Sequence, residues 1–216
     1  MIYLLEQPQS LKNEEELIRL FPAKRREKFS RITNQRARSQ GIWAYLLLCL
    51  GLGREYGIRK FPEVEVRPMG KPYLKEETEI YFNVSHSDEG ILCAVSKDEV
   101  GADIQGRISW RESLVRRILA PAEREIVLQD PEKLTLVWTL KESYLKYQGT
   151  GIRSDLRILD LSEWAMGKRT EGDMRLWCTC EEEYAASVFS REPLSFCRVT
   201  EQEVMEGLSG RLAGGL

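Results

Sequence analysis

Three short stretches of this chain hold side chains whose types and spacing suit phosphate and cation chemistry. The first is FNVSHS, residues 82–87, which carries the only histidine. It follows an alternating apolar run, so Asn83, Ser85, His86 and Ser87 gather at the end of a strand, where imidazole and hydroxyls can donate to phosphate oxygens. A structural histidine is the plainer alternative. A Ser-His-Asp triad is not indicated, because Ser85 and Ser87 are too close in sequence to His86 and no GxSxG elbow occurs.

The second stretch is VGADIQ, residues 100–105. On a strand, Asp103 and Gln105 share one face with Gly101, which leaves room beside them. Two oxygen-bearing side chains there suit a small hard cation; a solvated strand face is the alternative. The third is WTLKESYLKYQGTG, residues 138–151. On a helix, Trp138, Glu142 and Lys146 recur every four residues and lie on one side. Beside them Val137, Leu140, Tyr144 and Tyr147 form a core-facing stripe. Glu142 and Lys146 are either a surface ion pair or an acid and a base serving a metal and the phosphate it binds.

Two weaker features accompany these. Met69-Gly70-Lys71-Pro72-Tyr73 reads as a turn with an exposed lysine, and no GxxxxGK[ST] phosphate loop occurs. Residues 24–40 carry Lys24, Arg25, Arg26, Lys28, Arg31, Arg36 and Arg38 against the single acid Glu27. They form either a solvated helix face or an anion-binding wall.

The elements that must position these groups are short strands and medium helices. Strands are expected over residues 1–5, 80–84, 91–96, 100–105, 175–180 and 184–189. Helices are expected over 13–20, 41–50 (closed by Gly51-Leu52-Gly53), 110–119, from Pro121, and 134–147. Both halves mix the two types. The expectation is an α+β chain of two similar-sized lobes, residues 1–105 and 106–216, with a loose tail at about 208–216. No internal sequence repeat relates them.

Composition narrows the function. The 216 residues are 42% hydrophobic, enough for a real core, and 32 Lys and Arg against 34 Asp and Glu argue against a nucleic-acid binder. No signal peptide and no membrane-spanning run is expected. The five cysteines, Cys49, Cys93, Cys178, Cys180 and Cys197, show no CxxC pattern and suit a reducing cytoplasm.

Taken in order, Gly70-Lys71-Pro72, FNVSHS, VGADIQ and WTLKESYLKYQGTG resemble one family, the 4′-phosphopantetheinyl transferases of the larger, two-lobed (Sfp-type) class. The resemblance covers residues 71–151, more loosely residues 24–40 and 184–188. It implies that fold, with pseudo-two-fold lobes. It also implies transfer of the phosphopantetheine arm of coenzyme A to a serine of an acyl, peptidyl or aryl carrier protein, with Mg2+ or Mn2+, by a cytoplasmic monomer. By position, Asp103, Gln105 and Glu142 would hold the metal. Lys146 would meet the pyrophosphate or assist the serine, and Glu123 would match an acid implicated as a base. Ser85 and His86 would hold a coenzyme A phosphate, Gly70 and Lys71 would sit near the nucleotide, and Lys24, Lys28, Arg38 and Ser39 near the 3′-phosphate. The carrier would meet Trp110, Leu114, Ile118 and Leu119, or these four are plain core.

One position departs from the family, whose acidic strand usually ends in a second carboxylate where this chain has Gln105. That change bears on metal affinity and preference more than on activity. It also leaves open a non-catalytic coenzyme A or carrier-protein binding module.

Overall fold

The computed structural model describes residues 1–151 and 155–212. In chain order the elements are β1 (Ile2–Glu6), α1 (Glu14–Arg19), α2 (Ala23–Ser30), α3 (Gln35–Tyr56), β2 (Val64–Val66), β3 (Pro72–Leu74), β4 (Tyr81–His86), β5 (Gly90–Ser96), β6 (Val100–Gly106), α4 (Glu112–Ile118), α5 (Pro121–Gln129), α6 (Lys133–Gln148), α7 (Ser162–Ala165), β7 (Thr170–Glu171), β8 (Met174–Cys180), β9 (Tyr184–Ser190), β10 (Phe196–Val199) and α8 (Glu201–Leu212). The architecture is α+β, as expected.

Two four-stranded sheets organise the chain, in the orders β10-β1-β5-β4 and β6-β9-β8-β7, and β2-β3 forms a separate hairpin. Helix α3 covers the first sheet, and α6 covers the second along β6 and β9. The opposite faces meet. Ile2, Leu4, Leu92 and Ala94 of the first sheet share one apolar cluster with Val100, Ala102, Ile104, Ala186 and Val188 of the second. Both sheets are therefore covered on both faces, which explains why β5 and β9 are buried at every position rather than alternating.

A boundary at residue 105 does not separate the sheets. β6 pairs with β9, and β10 returns to lie parallel to β1 while α8 packs on α3. The tail expected to be loose is helical as far as Leu212; residues 213–216 lie outside the described residues.

Helix α3 runs well past the Gly51–Gly53 stop signal. A Cβ on Gly51 would sit 3.3 Å from both Tyr3 and Val95, so this glycine lets the helix press onto β1 and β5 rather than ending it. The end comes at Gly57, left-handed at φ 68°, whose N–H closes onto Gly53 O and Leu52 O. At the other end Asn34 caps the helix by accepting from the Ala37 N–H.

The contact between α6 and β6 is closer still. A Cβ on Gly101 would lie 2.1 Å from Ser143 O and from Tyr147 N, so only glycine lets the helix backbone rest on the strand backbone. Ser143 and Ser187, small residues on α6 and β9, share a 2.7 Å hydroxyl bond at the same seam. This close approach brings the polar side of α6 within reach of Asp103.

Candidate active site

Asp103 is buried on β6, facing α6. The Lys146 ammonium stands 2.6 Å from Asp103 Oδ1 and donates also to Ser85 Oγ at 3.1 Å and Ala102 O at 3.2 Å. Ser85 reaches in from β4 and donates to the same Asp103 oxygen at 2.8 Å. Asn83, two residues earlier on that face, accepts the Ala102 N–H at 3.0 Å and so fixes β4 beside β6 where the strands share no ladder. The plainer alternatives for these segments fail: the Asp103 face is buried, and the partner of Lys146 is Asp103, not Glu142.

Glu142 lies one helical turn before Lys146. Burial, and then the charge of Asp103, raise its pKa, while Lys146 pulls it back. Asp103 Oδ2 and Glu142 Oε1 are buried with no hydrogen-bond partner. Two orphaned carboxylate oxygens facing one another's charge are what a hard dication would satisfy. Gln105 is half-buried on the same face of β6 and adds an amide oxygen, not a charge. Accordingly no cluster of three His, Cys, Asp or Glu occurs among the described residues. The residues present fit Mg2+, which needs only one or two protein carboxylates when a substrate phosphate supplies the rest.

His86 turns to the other face of β4. It lines a cleft of about 530 Å³ with Lys24, Lys28, Arg25, Tyr45, Val84 and Phe82 among its walls. Burial lowers the His86 pKa, and Lys146 and Lys28 push it down further, so it is neutral at pH 7 and sits in a cationic field. Burial and Arg25 likewise depress Lys28. Lys24 pairs with Glu65 across the cleft mouth at 2.8 Å. The cleft thus joins an apolar floor to a rim of cations, suited to an anion with an organic body.

Several residues expected at the site are committed elsewhere. Arg38 Nε bonds Glu14 Oε2 at 2.5 Å, and Ser39 Oγ donates to the same buried carboxylate. Both tie α3 to α1, and neither lines the cleft. Lys71 is turned inward: burial lowers its pKa, and its ammonium pairs with Glu99 and donates to Tyr147 O at 2.9 Å. Gly70 is the left-handed turn residue between β2 and β3, at φ 91°.

Glu123 is not an available base. It has no exposed surface; its carboxylate pairs with Lys141 at 2.7 Å and accepts the N–H groups of Ala120 and Leu161 at 2.7 and 2.9 Å. A base must reach a hydroxyl delivered from solvent, and this one holds α5 to α6 and to the start of α7 instead. Of the four apolar residues expected at a partner surface, Ile118 and Leu119 are core, whereas Trp110 is 39% exposed and Leu114 half-buried.

Sequence reasoning missed Asn83 as the link between β4 and β6 and Glu14 as the sink for Arg38 and Ser39. The Asn83 signal was present, since alternation puts it on the Ser85 face. Nothing local announces the Glu14 contact.

The geometry suits an anionic organic ligand and a hard cation. Known proteins resemble the chain as follows. The model of the 4′-phosphopantetheinyl transferase superfamily matches residues 99–197, which span β6 through the first half of β10 and include Asp103, Glu142 and Lys146. A 4′-phosphopantetheinyl transferase of Bacillus subtilis is 24% identical over 94% of this chain and 96% of its own length. The Sfp transferase of Bacillus subtilis strain 168 is 23% identical over 68% of this chain and 69% of its own. The HetI transferase of a Nostoc species is 38% identical over 47% of this chain and 46% of its own. The second half of the chain thus matches the 4′-phosphopantetheinyl transferase superfamily, and the chain is similar to transferases of that name over nearly its whole length.

Proposed function

We propose that this protein transfers the 4′-phosphopantetheine arm of coenzyme A to a serine hydroxyl of an apo acyl, peptidyl or aryl carrier protein. The serine oxygen forms a bond to the phosphorus bearing pantetheine and gives its proton to water, the pyrophosphate bridge breaks, and adenosine 3′,5′-bisphosphate leaves. The observation that carries the reading is the Asp103–Lys146–Ser85 cluster with the orphaned Glu142 oxygen at hand, one strand's thickness from the cationic cleft of His86. The transferases to which the chain is similar support the same reaction.

Asp103 and Glu142, with the amide oxygen of Gln105, would hold Mg2+ or Mn2+. When bound, the dication would neutralise charge on the pyrophosphate oxygens. His86, with Lys28 and Lys24 on the same cleft, would donate to coenzyme A phosphates and hold the nucleotide end. Lys146 would place its ammonium against a phosphate oxygen, keeping Asp103 as its anchor. Positioning and electrostatic stabilisation are then the main contributions, as the loose phosphoryl-transfer transition state requires.

We further infer a two-lobed, pseudo-two-fold arrangement. What supports it is that each four-stranded sheet carries one long helix, α3 or α6. The carrier would approach near exposed Trp110 and half-buried Leu114, the two members of the expected surface that are not core. No described helix is long and apolar enough to cross a membrane, and none of the five cysteines forms a disulfide. Both facts suit a cytoplasmic protein, which we expect to act as a monomer.

The deciding experiment is intact-mass measurement of an apo carrier protein incubated with this protein, coenzyme A and Mg2+. EDTA and Asp103→Ala serve as controls. A metal-dependent gain of one phosphopantetheine that Asp103→Ala abolishes is expected. Coenzyme A binding without any gain, across several carrier types, would replace the transferase with a binding module.

A further inference from the structure

The last turn of α6 carries Lys146, and two contacts hold that turn from opposite sides. On one side Gly101 leaves the helix backbone lying directly on β6, as described above. On the other stands Lys71. Its side chain is 7% exposed, and its ammonium is spent on Glu99, the residue just before β6, and on Tyr147 O, the carbonyl just after Lys146. Two neighbouring carbonyls of the turn are served locally: Gly149 N–H donates to Lys146 O and Thr150 N–H to Leu145 O, each at 3.3 Å. Lys71 thus supplies the partner that Tyr147 O lacks at a helix end, and places a cation at the negative end of the helix dipole. The aliphatic stem takes part as well. Gly149 is left-handed at φ 68°, and a Cβ there would come 3.2 Å from Lys71 Cδ.

We propose that Lys71, anchored by Glu99, is a positioning residue that clamps the last turn of α6 and so sets the reach of Lys146 to Asp103. The contacts run through one short path. Glu99 and Gly101 flank Val100 on β6, and Asp103 follows on the same strand. The strand that carries the acidic side chain is therefore also the strand to which the helix end is pinned. A side chain buried this way does not contact a nucleotide; its effect on the reaction passes through Lys146. The proposal rests on the transferase reading for its kinetic readout and on hydrogen exchange for its structural one.

The test compares Lys71→Met, Lys71→Arg and Glu99→Gln with the unaltered protein. Steady-state transfer is measured with varied coenzyme A, and amide exchange is followed in the peptide spanning residues 143–150. Lys71→Met is expected to lower kcat about 10- to 100-fold, the scale of a reacting group displaced by an ångström, with KM for coenzyme A nearly unchanged. Its α6 end should exchange faster by a similar factor while the rest of the chain keeps its protection. Lys71→Arg, which can still bond both a carboxylate and a carbonyl, should restore most of kcat and the protection. Glu99→Gln should lie between them, and it carries the test if Lys71→Met does not fold. A raised KM for coenzyme A with kcat and exchange unchanged would overturn the clamp and return Lys71 to the nucleotide. If the unaltered protein transfers nothing, the transferase reading fails by itself. The exchange rates of the variants then decide the clamp: faster exchange upholds it and unchanged exchange overturns it.

Discussion

Ser85 and His86 are adjacent in sequence yet serve opposite faces of β4: Ser85 donates to Asp103 at 2.8 Å, while His86 lines the cationic cleft behind it. One strand therefore delivers two different groups to two ends of the same site. Strand alternation makes this unavoidable for neighbours in a regular ladder, and β4 is regular through His86.

The pair should separate kinetically. His86→Ala removes a donor to a charged phosphate, a bond worth about 1.5–3 kcal/mol, so KM for coenzyme A should rise about 10- to 100-fold with a smaller change in kcat. Ser85→Ala removes a contact of Asp103 and Lys146 and should act mainly on kcat. Steady-state kinetics with saturating carrier protein reads both.

Coenzyme A binding should take up a proton. In the free protein burial, Lys146 and Lys28 hold His86 below its ordinary value of 6.5. A bound phosphate dianion favours the imidazolium, so affinity should improve as pH falls below neutrality. Calorimetry in buffers of different ionisation enthalpy measures the proton directly, and equal heats in all buffers would contradict it. For folding the sign is opposite. The unfolded chain protonates His86 more readily than the folded one, so this group's contribution to stability is present above 6.5 and is lost as pH falls through that value towards the lower folded one.

Glu142 and Asp103 should respond differently to loss of charge. Glu142→Gln relieves a buried carboxylate with an unpaired oxygen beside another acid. The metal-free protein should be as stable as before or gain up to about 1 kcal/mol, while any rise of Tm with Mg2+ disappears. Asp103→Asn strips the ion-pair partner from Lys146 and should cost about 1–2 kcal/mol. Thermal melts with and without Mg2+ check both.

The Glu123–Lys141 pair is sealed, with neither side chain exposed. Burial raises the carboxyl pKa and lowers that of the ammonium, and each partner offsets the other's shift. Removing either alone, as in Glu123→Leu or Lys141→Met, should cost about 3–5 kcal/mol in urea unfolding, because the survivor is left uncompensated. The double replacement should recover a large part of that loss. At a temperature where Glu123→Gln stays folded, it should still support transfer, which a catalytic base would not.

Local relations were legible in the sequence and long-range ones were not. Period-two alternation placed Asp103 with Gly101, and period-four spacing placed Glu142 with Lys146; both relations are local and both hold. The commitments of Arg38, Ser39, Lys71 and Glu123 depend on partners far off in sequence, Glu14, Glu99, Tyr147 and Lys141, so residue type alone could not tell a ligand from a strut. The same holds for Gly51. A glycine that admits a neighbouring strand looks, in sequence, like one that ends a helix, and only the approach of Tyr3 and Val95 distinguishes them.

The return of β10 to β1 bears on how the chain is made. β1 is synthesised long before β10, yet one of its two edges is filled only by Phe196–Val199. Until then the nascent chain carries an open, apolar edge at Ile2–Leu5 and an uncovered patch on α3 where α8 will settle. Such an edge invites pairing with other chains. Completion of the first sheet is therefore a late event with a large loop to close. Ribosomes stalled before residue 196 should hold a protease-sensitive intermediate that depends on chaperones for solubility.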